Sequence, residues 1–152
     1  MRLIIVAATL ILVFPFIFFT NKNSPFTETE KEKNYKADRM IEEGHAFLRE
    51  GDLVVRINHD PSSQFIKNFN RKDKSYSHAG IVLFKNGYPY VYHIVNGVEN
   101  PGQKLRKESL TGFCNPRKNF GYGVFRYNLD STELKKLKRI IGEWYSREVK
   151  FD

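Results

Sequence analysis

Two histidines, His78 and His93, lie at either end of a segment that is typical of a β-hairpin. Apolar and aromatic residues run from Ala79 to Phe84, and a similar run extends from Tyr90 to Val95. Between them stands Asn86-Gly87, which favours a type I′ turn because both residues tolerate a positive φ. The sequence therefore predicts two short antiparallel strands with a histidine on each.

The register of this hairpin decides whether the two imidazoles meet. If Asn86-Gly87 is the whole loop, His93 lies opposite Gly80 and Val95 lies opposite His78. The histidines are then diagonal neighbours on one face, roughly 7 Å apart at the backbone, and Gly80 has no side chain to separate them. A loop longer by one residue would shift the pairing and send the imidazoles to opposite faces. The first register predicts an imidazole pair, and the second predicts two unrelated histidines.

An imidazole pair suits either a metal ion or a catalytic base with a partner that orients it. A metal site needs a third and usually a fourth ligand. The side chains available for this stand at no telling spacing; they are His59, Asp60, Asp73 and Glu99. We therefore expect no metal and no other cofactor, and we expect His59, beside a turn, to lie at the surface. A base with an orienting partner remains the chemical interpretation of His78 and His93.

Periodicity and turn signals predict an α+β domain with a small antiparallel sheet and flanking helices. Before the hairpin we expect a helix around Tyr35–Ile41 that ends near His45, a strand over Leu53–Ile57, and a short helix capped by Ser62 or Ser63. After the hairpin we expect a turn or short helix from Glu108 and a strand over Gly123–Tyr127. The last predicted element is a helix that begins with the capping box of Asp130 and Glu133.

The first residues of the chain do not fit a water-exposed fold. Leu3 to Phe19 is an apolar run without charge, close to the lower limit for spanning a hydrocarbon core. Bulky Phe18 and Phe19 stand where a signal peptidase prefers small residues, which favours a signal anchor over a cleaved signal peptide. We expect residues 1–20 to export or anchor the protein, 21–46 to form a polar linker and helix, and 47–152 to form the folded domain.

The chain carries a net charge of +8 and has a pI near 9.6. Its basic residues are scattered among acidic ones and no recognition motif accompanies them, so we expect no nucleic-acid partner. Affinity for an anionic membrane surface or envelope polymer explains the charge better. Together with the apolar segment, this predicts the cell envelope, with the protein either membrane-anchored or periplasmic or extracellular.

Four segments resemble the permuted papain-like hydrolases, in particular the YiiX/YebB-like branch of the NlpC-type cysteine amidases. They are Gly51-Asp52-Leu53-Val54, Ser62-Ser63, Tyr76 to Val82 and Tyr90 to His93, within a resemblance that extends from about Leu48 to Asp152. The resemblance implies a permuted papain-like (NlpC-type) fold, with His78 as general base and His93 as the residue that orients it. It also implies a peptide, peptidoglycan-type or acyl-amide substrate.

The nucleophile is where this chain departs from the family pattern. The family places its cysteine last, in a Tyr-Cys-Ser/Thr-Glu motif at the start of a helix, whereas this sequence stops at Val149-Lys150-Phe151-Asp152. The single thiol, Cys114, opens no predicted helix that would lower its pKa, so we expect it to be inert rather than a substitute nucleophile.

The resemblance therefore implies a domain without its last helix and a cysteine hydrolase that is inactive as this chain. A missing helix should also leave an apolar face exposed. The alternative is a non-catalytic envelope protein with a degenerate papain-like fold that binds a ligand or partner through that face.

Overall fold

The computed structural model describes residues 29–95 and 100–150. Its strands are β1 Leu53–Asn58, β2 His78–Lys85, β3 Tyr88–His93, β4 Arg106–Ser109 and β5 Asn119–Phe125, and its α-helices are α1 Glu30–Gly44, α2 Pro61–Ile66, α3 Leu110–Phe113 and α4 Ser131–Ser146. The strands form one five-stranded antiparallel sheet in the order β4-β3-β2-β1-β5. The predicted α+β class, with a small antiparallel sheet and flanking helices, is confirmed.

The sheet has an apolar core on each face. On one face, β1, β2 and β3 pack against Ile41 of α1 and Phe113 of α3. On the opposite face, Leu83 packs with Leu105 and with Ile141 of α4. Side chains alternate between faces along a strand, so His78 and His93 share their face with Val82 and Val91 of the first core. We call this side of the sheet the histidine face.

The hairpin forms in the predicted register. Lys85 pairs with Tyr88 and Ile81 pairs with Tyr92, so the loop is Asn86-Gly87 alone. Both loop residues have positive φ, 54° and 81°, as a type I′ turn requires. The alternative with a longer loop is wrong.

Local capping residues set the starts of the helices, and the cap of α2 differs from the predicted one. The capping box of Asp130 and Glu133 begins α4 as predicted. However, α2 is capped by Asp60, whose carboxylate accepts the backbone N–H of Ser63. The prediction of Ser62 or Ser63 as the cap is wrong, because Pro61 occupies the first helical position and the cap precedes it.

Strand β4 is the element that the sequence did not reveal. The predicted turn or helix from Glu108 is wrong at its start, since Arg106–Ser109 forms a strand beside β3. The short helix α3 begins only at Leu110, after the cap Ser109. Strand β5 also begins earlier than predicted, at Asn119, because Gly121 and Gly123 hide its apolar pattern.

Asp52, in the Gly51-Asp52-Leu53-Val54 segment, connects two neighbouring strands of the sheet. Asp52 is 1% exposed and accepts hydrogen bonds from Nε and Nη2 of Arg126, at 2.8 and 2.7 Å. It also accepts the backbone N–H of Arg49 at 2.7 Å. Asp52 therefore ties the start of β1 to the residue that follows β5, a structural role rather than a catalytic one.

The predicted signal anchor or signal peptide over residues 1–20 lies outside the described residues. Within the described ranges, no helix combines the length and apolar character that crossing a membrane requires.

Candidate active site

The hairpin brings the two predicted site residues, His78 and His93, into direct contact. Nε2 of His78 lies 2.9 Å from Nδ1 of His93, a hydrogen-bond distance. The ring planes cross at 86°, with their centroids 5.1 Å apart. The His93 side chain is buried, while His78 keeps part of its surface exposed. Residues 15 positions apart in sequence thus form one imidazole pair.

Glu108 on β4 extends this pair into a row of three polar side chains. In the register of β3 and β4, Glu108 lies opposite Val91 and Arg106 lies opposite His93, so both are on the histidine face. Oε2 of Glu108 lies 3.4 Å from Nε2 of His93, and Oε1 lies 2.6 Å from Nη2 of Arg106. Glu108 was not predictable as a site residue, because the segment around it lacks the β-branched residues that would indicate a strand.

The charges around Glu108 keep it ionised. Its contact with the His93 imidazole is the largest cause that lowers its pKa to about 2, and the positive charges of Arg106 and Arg56 act in the same direction against the effect of burial. Near neutral pH this side chain is therefore a carboxylate, which accepts hydrogen bonds and donates none.

Arg56 is the second residue of the site that sequence reasoning missed. It pairs with His78 across β1 and β2 and is only 4% exposed. Its Nη1 donates to the carbonyl oxygen of Phe113 at 2.7 Å, and its guanidinium lies 4.3 Å from the centroid of the Phe113 ring. A charged residue inside the apolar run of β1 was the available signal, because such a residue is rarely buried without a specific role.

Phe113 covers both imidazoles. Its ring centroid lies 5.7 Å from that of His78 and 4.9 Å from that of His93, and its side chain is fully buried. The imidazole pair therefore packs against an aromatic ring that the guanidinium of Arg56 also contacts.

This environment keeps His78 neutral near pH 7. Burial is the largest cause that lowers the pKa of His78 to about 4, and the neighbouring Arg56 and His93 lower it further against the opposing charge of Glu108. A neutral imidazole has a lone pair and is able to accept a proton. His78 thus has the protonation state that a general base needs.

The lowered pKa of His78 predicts a loss of stability in mild acid. An unfolded histidine binds its proton near pH 6.5, whereas His78 in the folded protein binds one only near pH 4. Between these values the unfolded state holds more protons, so stability falls as pH falls. We expect His78→Gln to lose roughly 1–2 kcal/mol less stability than the wild type between about pH 7 and pH 5, measured by urea unfolding. Equal losses in the two proteins would contradict this pKa.

The surroundings of the single thiol of the chain do not favour its thiolate form. Cys114 is 2% exposed and packs in the core of the histidine face. Burial raises the pKa of the Cys114 thiol to about 12, although Arg56 opposes the effect. Cys114 lies at the end of α3, not at the start of a helix. The thiol is therefore protonated and buried near neutral pH.

The residues considered as metal ligands lie elsewhere and have other contacts. His59 is exposed, and its ring contacts that of Phe120 in a tilted arrangement, with 4.2 Å between centroids. Asp60 caps α2, and Asp73 accepts the backbone N–H of Ser75 at 2.8 Å. Glu99 lies outside the described residues. Within residues 29–95 and 100–150, the structure brings together no group of three or more histidine, cysteine or acidic side chains that could hold a metal.

Exposed large apolar side chains lie on several elements of the described residues, including the edge strand β5 and the segment just after it. Phe120, Val124, Phe125 and Tyr127 are 68%, 44%, 47% and 61% exposed. A groove runs beside them, between β5 and the 3₁₀ turn His45–Phe47, and Phe47 and Tyr122 line it. Helices α1 and α3 cover the part of the sheet that lies around the histidines.

Comparison with protein-family models, with curated proteins and with solved structures finds no match to this chain.

Proposed function

We propose that the protein is a cysteine hydrolase domain of the permuted papain-like (NlpC-type) class, of the amidase or peptidase kind, which holds the base half of an active site. The observation that carries this proposal is the 2.9 Å contact between His78 and His93 in a hairpin whose register is set by a tight turn. The Ser-His-Ala-Gly-Ile sequence that surrounds His78 supports the same class by resemblance.

In the reaction that this class performs, a thiolate attacks the carbonyl carbon of an amide. His78 would take the thiol proton and later deliver it to the leaving amine, while His93 keeps the His78 ring in one orientation. A thiolate beside His78 would also favour its protonated form and raise its pKa, because an opposite charge stabilises the imidazolium.

The thiol itself is not supplied by Cys114, the only cysteine among the 152 residues. Its burial and raised pKa exclude a thiolate at neutral pH. We therefore expect this chain alone to be inactive, and a thiol from another source to be needed for acyl transfer.

The proposed substrate is a peptide, a peptidoglycan-type peptide or an acyl amide, as the resemblance implies. The apolar run Leu3 to Phe19 and the net charge of +8 support a place in the cell envelope, anchored in the membrane or exported. Both features keep the protein close to anionic polymers and lipids.

Supplying the missing nucleophile tests the proposal. The full chain, kept in solution by a mild detergent, is mixed with an aryl ester of a short acyl group, with and without a small aliphatic thiol. We expect no cleavage above buffer without the thiol, and thiol-dependent release of the phenol with it, since His78 removes the thiol proton as the sulfur attacks the ester carbonyl.

The variants that accompany this assay separate the base from other effects. His78→Gln should lower the thiol-dependent rate to that of thiol and buffer without protein, whereas His59→Gln, which removes an exposed histidine, should leave the protein's contribution intact. Thiol-dependent cleavage that is equal in wild type and His78→Gln would contradict the proposed base. Cleavage without added thiol, lost after alkylation of Cys114, would contradict the assignment of Cys114 as inert.

The alternative function is binding without catalysis, and the apolar edge strand β5 is the observation that favours it. Among the described residues β5 is paired on one side only, with β1, and an edge strand with exposed aromatic side chains is able to accept an extended peptide as an added strand. Under this alternative, Val124→Lys would abolish peptide binding while His78→Gln would leave the affinity unchanged. A loss of binding in His78→Gln would argue against it.

A further inference from the structure

We propose that Glu108 is a positioning residue that acts through His93 to fix where the protons of the imidazole pair lie, so that Nδ1 of His78 is the atom that accepts a proton. The catalytic meaning of this inference rests on the proposed function. The proton arrangement itself does not, and it is measurable without any reaction.

The contact of Glu108 with His93 determines which nitrogen of His93 carries the proton. Nε2 of His93 is buried and makes no hydrogen bond of ordinary geometry to the described residues, and a carboxylate oxygen of Glu108 faces it at 3.4 Å. A carboxylate offers only acceptors, so the stable arrangement has a proton on Nε2 of His93. A lone pair on Nε2 would instead face the carboxylate oxygen and be repelled.

The tautomer of His93 in turn determines the tautomer of His78. A neutral imidazole carries one N–H, so a proton on Nε2 of His93 leaves a lone pair on Nδ1. The 2.9 Å contact between this Nδ1 and Nε2 of His78 then needs a proton from His78. His78 therefore donates through Nε2, and its own lone pair lies on Nδ1.

The pairing of β4 with β3 and the contact with Arg106 hold the Glu108 carboxylate in place. Glu108 and Arg106 lie on a strand that is paired in register with β3, and the two side chains are joined by a 2.6 Å ion pair. Arg106 thus holds the carboxylate where Nε2 of His93 needs an acceptor. A residue that never touches His78 determines which of its nitrogens is basic.

Two-bond proton–nitrogen NMR correlations report the tautomer of each histidine ring and test this directly. The full chain labelled with ¹⁵N in detergent micelles is used, and single histidine substitutions assign the signals. In the wild type we expect both His78 and His93 to carry their proton on Nε2. In Glu108→Met, which removes the acceptor but keeps an unbranched side chain, we expect His93 to move its proton to Nδ1 and His78 to switch with it.

Two further variants separate positioning from general structural support. Glu108→Gln, whose amide oxygen still accepts from Nε2, should restore the wild-type tautomers. Glu148→Gln removes an exposed carboxylate that pairs with Lys104, and it should change neither histidine. A merely structural role for Glu108 would not switch the proton on His78 in a folded protein.

The proposal is overturned if His78 keeps its Nε2 proton in folded Glu108→Met. It is also overturned if wild-type His93 carries its proton on Nδ1, or on both nitrogens, near neutral pH. The second result needs only the wild type, so it decides the question even if Glu108→Met does not fold. Correct tautomers without any thiol-dependent turnover would contradict the proposed function and leave the role of Glu108 standing.

Discussion

Phe113→Ala is expected to lower the free energy of unfolding by about 4 kcal/mol, because it removes a fully buried aromatic side chain from a packed core. The ring contacts both imidazoles and the guanidinium of Arg56. Its loss also leaves a void beside a buried charge, which adds to the cost. Urea unfolding followed by circular dichroism measures the change.

Matched substitutions show whether this cost comes from burial at the site. Phe113→Leu keeps much of the volume and should cost less than about 2 kcal/mol. Phe120→Ala removes a phenylalanine that is 68% exposed and should change stability by no more than about 0.5 kcal/mol. If Phe113→Ala costs as little as Phe120→Ala, the ring does not cover the imidazole pair as described.

Gly80→Ala is expected to destabilise the protein by roughly 2–3 kcal/mol, although alanine ordinarily suits a strand better than glycine. A Cβ at position 80 would lie 2.4 Å from Cγ1 of Val91, 3.0 Å from Cβ of His93 and 3.1 Å from the backbone oxygen of Tyr92. The backbone oxygen cannot rotate away, so the two strands must separate. We expect the His78–His93 hydrogen bond to be lost with them.

Gly121→Ala is the matched control for Gly80→Ala. Gly121 also lies in a strand of the sheet, but an added Cβ there meets no atom within 4 Å. We expect this change to be neutral or slightly stabilising, by up to about 1 kcal/mol. Similar unfolding energies for the two variants would show that the close approach of the strands at Gly80 is not needed.

The imidazole pair was predictable from sequence because the interactions that create it are local. Asn86-Gly87 sets the turn, the turn sets the register, and the register places both histidines on one face. The start of α4 was predictable for the same reason, since Asp130 and Glu133 cap it within one turn of helix.

The rest of the site was not predictable because it depends on pairing between distant segments. Glu108 reaches His93 only because β4 adds to the edge of β3, and the sequence around Glu108 carries no strand signal. Arg56 meets Phe113 across 57 positions of the chain. Residue types and spacing identify the pair of histidines, whereas their partners follow from the tertiary fold.

The protonation states of His78, Glu108 and Cys114 follow from their surroundings. Burial and positive neighbours keep His78 neutral, and contact with His93 and two arginines keeps Glu108 ionised. Burial keeps Cys114 protonated on the same face of the sheet. Near neutral pH the site therefore holds a neutral imidazole and a carboxylate, and the thiol of Cys114 is protonated.

The rate of thiol-dependent ester cleavage near pH 6, in wild type and in His78→Gln, tests the central claim most directly. An aliphatic thiol with a pKa of about 8.5 is almost fully protonated at that pH, so the uncatalysed thiolate reaction is slow and assistance from a base is visible. We expect the wild type to cleave the ester only when thiol is added, and His78→Gln to give a rate no higher than that of thiol and buffer without protein. Equal rates in the two proteins would contradict it.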